Sequence, residues 1–108
     1  MTPVLVLTTV GINHDARAIA RELVEARVAA CVNIVRRVDS IYRWEGRVHD
    51  ESEQLLIIKT MENRVDALRE ELFKRHPYDV PEFVVMRVEA TSEAYGAWLL
   101  SSTMNDEG

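Results

Sequence analysis

The sequence predicts an α+β domain of order β-α-β-β-α-β with an added C-terminal helix, and three observations predict it. Apolar, β-branched runs alternate with stretches of helical periodicity in that order. The segment Ala29 to Thr60 reads as two long strands folded back on each other around Trp44-Glu45-Gly46-Arg47. The length of 108 residues, with 47% hydrophobic and 29% charged residues, fits one domain spanning 1–108. At this size only roughly 65% of the unfolded chain's surface can be buried, so self-association would help the fold.

Val4 to Val10 is an apolar run without polar alternation and is expected to be a central strand buried on both faces. Asn13 is a suitable N-cap, and Ala16, Ile19, Ala20, Leu23 and Val24 recur at helical spacing, which predicts a first helix from about His14 to Arg27. The outgoing arm of the hairpin, Ala30 to Trp44, exceeds the usual strand length of about 5 to 6 residues. Such an arm must bend at a bulge or reach beyond its own domain. The returning arm ends in Glu53 to Thr60, and Asn63 can cap a second helix with the inner stripe Val65, Leu68 and Leu72. Pro77 ends that helix near His76. Phe83 to Val88 is a fourth strand, whose Arg87 marks a less buried face, and Thr91 or Ser92 caps a last helix packing through Tyr95, Trp98 and Leu99. The tail from Asn105 to Gly108 is expected to fray.

This order is the ferredoxin-like arrangement, an antiparallel sheet with a long hairpin between strands two and three. Strands one and three are expected side by side and parallel in the middle, with strand four beside one and strand two beside three. That orientation would gather Thr8, Thr9, Cys31, Lys59, Thr60 and the His76 to Glu82 loop at one edge. The last helix is too short to cover the second sheet face, so part of it is expected to lie against another copy of the chain.

Composition excludes several classes of function. Thirteen Lys and Arg against 18 Asp and Glu give a net charge of −5, with no basic stripe, so nucleic acid is not expected as a partner. No apolar run approaches the ~20 residues of a membrane helix, and the start lacks the pattern of a signal peptide, which predicts a cytoplasmic location without membrane contact. The single cysteine excludes an internal disulfide. No GxSxG, Walker loop, GxGxxG or HExxH is present, so no enzyme activity is expected.

Among chemistry-bearing residues, Cys31 reads as a buried small hydrophobe or a soft metal ligand, and His76 as a helix-terminal cation or a ligand. Together with a carboxylate the two would suit copper or zinc. Lys59 in an apolar strand needs an acidic partner or an anion, with Glu51, Glu53 and Glu82 as possible partners. Tyr42 and Trp44 suit a subunit interface. Trp44 lies 13 residues beyond Cys31, on the order of 40 Å along an extended strand. Any site joining them must therefore be made between subunits.

Five separated motifs, Ala29-Ala30-Cys31-Val32-Asn33-Ile34, Ser40-Ile41-Tyr42-Arg43-Trp44-Glu45-Gly46, Lys59-Thr60, His76-Pro77-Tyr78 with Pro81-Glu82, and Tyr95 with Trp98-Leu99, resemble the CutA family of divalent-cation tolerance proteins. The resemblance spans nearly the whole chain. It implies a PII-like homotrimer, cytoplasmic in bacteria, linked to tolerance of copper and other divalent metals, with no assigned reaction. By position it implies Cys31 and His76 as metal ligands and Tyr42, Trp44, Glu53, Lys59 and Glu82 as residues lining an intersubunit cleft. Thr8 and Arg75 depart from members that carry cysteine and histidine there, removing two ligands. Arg87 and Thr91 replace a proline and a glycine common in the family. The expectation is weak binding of copper or another divalent ion between subunits. Two alternatives are a PII-like sensor holding a small anionic metabolite in the same cleft, and a trimeric scaffold with no small ligand.

Overall fold

The structure is a computed structural model and describes residues 1–104. The tail expected to fray lies outside the described residues. The elements follow the predicted order: β1 (Pro3–Gly11), α1 (Ala16–Glu25), β2 (Cys31–Trp44), β3 (Arg47–Met61), a 3-10 turn (Glu62–Arg64), α2 (Val65–Arg75), β4 (Val84–Arg87) and α3 (Glu93–Ser102). The single sheet has the order β2-β3-β1-β4.

The neighbours are those expected, but β1 and β3 run antiparallel, with Leu5 opposite Lys59 and Gly11 opposite Glu53. The hairpin makes β2 and β3 antiparallel. Each helical crossover then joins parallel strands that are not adjacent, β1 to β2 with β3 between them, and β3 to β4 with β1 between them. Every neighbouring pair is therefore antiparallel. This orientation separates the residues expected at one edge: Cys31, Lys59 and Thr60 lie by the start of β1, while Thr8, Thr9 and the loop after α2 lie by its end.

β1 alternates instead of being buried on both faces. Val4, Val6 and Val10, with Leu56 and Ile58 of β3, form the inner face against Ile19 and Leu23 of α1 and Leu68 and Leu72 of α2. Each such side chain contributes about 1.5–3 kcal/mol by leaving water. On the opposite face Leu5, Leu7, Leu55 and Ile57 stay partly exposed, because α3 covers only one end of it, seating Leu99 against Ala30 and Met61. Tyr95 and Trp98, expected to pack with Leu99, are 39% and 43% exposed.

Local signals explain the boundaries. Asp15, not Asn13, caps α1 by accepting from the Ala18 N–H at 3.0 Å. Asn63 falls in the 3-10 turn, and α2 starts without a side-chain cap. Ser92 caps α3 through the Tyr95 N–H. At the hairpin tip Glu45 and Gly46 both have positive φ, 50° and 77°, as the type I′ turn that suits paired twisted strands requires. The length of β2 is accommodated by a bulge between Val35 and Val38. Arg87 lies in β4, whose four residues are all exposed, and donates to Glu62 at 2.6 Å. Arg75 ties α2 to α1 by donating to Glu22 at 3.1 Å, and within α2 it donates to Glu71 at 2.8 Å.

Candidate functional site

β3 outruns β1 at Gly11 and Glu53, so beyond that point β2 and β3 form a two-stranded ribbon. The loop after α2 sits beside the base of this ribbon. His76 anchors it: the ring Nε2 lies 2.9 Å from the Thr9 carbonyl oxygen, and the Tyr78 N–H donates to Nδ1 at 3.1 Å. Accepting at Nδ1 requires the proton on Nε2, so the neutral ring uses both nitrogens within the fold. Burial holds its pKa below the usual histidine value.

Two phenol–carboxylate pairs follow. The Tyr78 hydroxyl donates to Glu53 Oε2 at 2.6 Å, and the Tyr42 hydroxyl donates to Glu51. Glu53 is only 6% exposed. Burial, then the hydrogen bond to Glu53 and its charge, push the Tyr78 hydroxyl well above the ordinary tyrosine value, and the hydrogen bond to Glu51 pushes Tyr42 up to about 12. Both phenols therefore stay protonated donors at physiological pH. Tyr42 also stacks on His49, with ring centroids 5.2 Å apart. With Trp44, Asp79, Val80 and Thr9 these groups line a cleft of about 460 Å³. Glu82, at the surface nearby, has its carboxyl pushed up by neighbouring protein mass and by the charge of Glu53.

Among the described residues, three carboxylates and no Lys or Arg line this cleft. Among the described residues, however, no three His, Cys, Asp or Glu side chains are grouped closely enough to hold a metal ion. The arrangement favours positive charge and excludes water from Glu53, but one chain alone does not complete a coordination shell.

The sequence-predicted residues thus divide. Tyr42, Trp44 and Glu53 meet in one cleft, with Glu82 beside it. Cys31 and Lys59 do not join them, being paired with each other across β2 and β3 at the far end of the sheet. Cys31 is half-buried, with Sγ 3.9 Å from Asn33 Oδ1. Lys59 forms no ion pair among the described residues; its ammonium lies 5.8 Å from the centre of the Tyr95 ring, so a cation–π contact stands where a salt bridge was expected. Tyr78 and Asp79 were missed as cleft residues, although the aromatic-acid dipeptide directly after His76-Pro77 signalled a polar-tipped loop.

Comparison with known proteins bears on this geometry. The family model described as CutA1 divalent ion tolerance protein matches residues 4–102. The chain belongs to this family. The CutA of Thermus thermophilus, named a divalent-cation tolerance protein, is 44% identical over 92% of this chain and 96% of its own length. The chloroplastic CutA of Arabidopsis thaliana is 40% identical over 94% of this chain, which spans only 56% of that relative's length. Among solved structures, the Thermus thermophilus divalent cation tolerance protein superposes with a TM-score of 0.90 at 43% identity, covering 94% of this chain and 99% of that one. The CutA1 of Oryza sativa gives a TM-score of 0.91 at 38% identity over 96% and 95%. The family model and the Thermus thermophilus relative are named for tolerance of divalent ions, and this chain's long hairpin and four-stranded antiparallel sheet match the solved CutA1 architecture.

Proposed function

We propose that this CutA protein is a cytoplasmic homotrimer that binds a divalent cation, copper among them, weakly at a cleft completed by a neighbouring copy, and that it catalyses no reaction. The observation that carries this reading is the cleft of Tyr42, Trp44, Glu51, Glu53, Tyr78 and Asp79, in which phenols hold Glu51 and Glu53 in place and no Lys or Arg among the described residues lines the wall. Its incomplete ligand set is what a site shared between chains requires. The half-exposed apolar sheet face of Leu5, Leu7, Leu55 and Ile57 supplies a surface for those copies to bury. Cys31 is the soft donor that only another copy could bring to this cleft, since its own strand carries it to the far end. A reducing compartment keeps that thiol free.

His76 contributes by bracing the loop, since ligation would cost it a hydrogen bond to Thr9 or Tyr78. Among the described residues no cationic side chain lines the cleft to receive an anionic metabolite, and Lys59 stands at the other end of β3, which makes the metal reading the better supported. Titration of copper and zinc into the wild type and into Glu51→Gln, Glu53→Gln, Cys31→Ala and His76→Ala variants tests it. Affinity should fall most in the glutamate variants. Equal affinity in all five proteins would overturn the cleft assignment.

A further inference from the structure

A second concave region lies on the helix-bearing side of the sheet, between α1 and β2. It consists of two hollows, of about 460 Å³ and about 240 Å³, that share Arg17 and Ile34. Arg17 and Arg21 stand one turn apart on α1, so their side chains project from the same face. Arg36 stands in the β2 bulge and lines the smaller hollow with Arg17. Among the described residues none of these arginines takes part in an ion pair, in a chain that pairs Arg37, Arg69, Arg75 and Arg87 with carboxylates.

Two acids border the region without neutralising it. The Asp15 carboxylate is committed to the Ala18 N–H as the cap of α1, and Glu25 lines only the larger hollow, at its far end. Gln54 fixes the floor of the smaller hollow by donating to the Gly11 and His14 carbonyls at 3.0 and 2.9 Å. Ala20, Val24 and Val32 give the larger hollow an apolar wall. Planar guanidinium forks match phosphate oxygens two at a time, and three of them require more than one negative charge in return.

We propose that this groove binds a small organic phosphate, its phosphate held between Arg17 and Arg36 and its carbon part lying along the apolar wall toward Arg21. The site is distinct from the acidic cleft and does not depend on the metal reading. Calorimetric titration of the intact protein with inorganic phosphate, tripolyphosphate, ATP and an acidic peptide at low salt tests it. Wild type should bind ATP more tightly than inorganic phosphate or tripolyphosphate. Arg17→Ala and Arg36→Ala should each weaken it about tenfold, while Arg47→Ala at the hairpin tip should not. These arginines are exposed, so the variants keep the fold, which circular dichroism verifies. No ATP binding up to about 1 mM, equal binding by a variant carrying both Arg17→Ala and Arg36→Ala, tripolyphosphate binding as tightly as ATP, or binding of the peptide alone would overturn the proposal.

Discussion

The Tyr78 hydroxyl reaches Glu53 Oε2 at 2.6 Å across 25 residues of sequence, joining the loop after α2 to β3 at the base of the ribbon. Glu53 is buried, so its carboxylate oxygen takes from this phenol a hydrogen bond that water would otherwise supply. Tyr78→Phe removes the donor while keeping the ring, and is expected to destabilise the protein by about 1–2 kcal/mol. Urea denaturation of both proteins at one concentration measures the difference. An unchanged midpoint would show that the pair adds nothing to stability.

His76 couples the same loop to pH. Its folded pKa is depressed by burial, so the unfolded chain binds a proton first as pH falls. The stability due to the neutral ring is complete above the unfolded value near 6.5 and is lost as pH drops from there through the folded value. Protonation also places a hydrogen on Nδ1, where the Tyr78 N–H must donate. Melting temperature should decline below about pH 6.5 in wild type. His76→Asn should melt lower at neutral pH but lose this slope. Glu82, whose pKa is raised, acts with the opposite sign, gaining stability as pH falls toward the carboxylate range. A decline as steep in the variant as in wild type would rule out His76 as its source.

Two buried threonines make a matched contrast. Thr8 is fully buried, and its hydroxyl has no hydrogen-bond partner among the described residues, whereas the Thr60 hydroxyl donates to the Val28 carbonyl at 2.8 Å. Replacing each by valine preserves shape. Thr8→Val should stabilise by about 1 kcal/mol, by removing an unsatisfied polar group, and Thr60→Val should destabilise by about 1–2 kcal/mol. Thermal unfolding of the two variants should move in opposite directions.

Element order and strand neighbours were legible because Val4 to Val10, the hairpin arms and the stripe of Leu68 and Leu72 carry strong periodic signals. Strand direction was not read correctly. The rule of right-handed crossovers applied to β1 and β2, with β3 inserted between them, not to β1 and β3. That one inversion misplaced the His76 to Glu82 loop beside Cys31, when it lies beside Thr9. The cleft was partly legible: Tyr42 and Trp44 stand in the Ser40 to Gly46 motif and Glu53 was named as an acid of the same hairpin, and the three line one hollow. Tyr78 and Asp79 were not legible as cleft residues, since their role depends on where the loop docks, which is a tertiary fact.

Native mass spectrometry in the presence of copper or zinc tests the central claim most directly, because it reads subunit number and bound ions together. The expected species has three times the 12.4 kDa chain mass and carries divalent ions that are lost in a Glu51→Gln, Glu53→Gln variant. A single chain at 12.4 kDa, or a trimer that retains its ions in that variant, would contradict a cation site completed between copies.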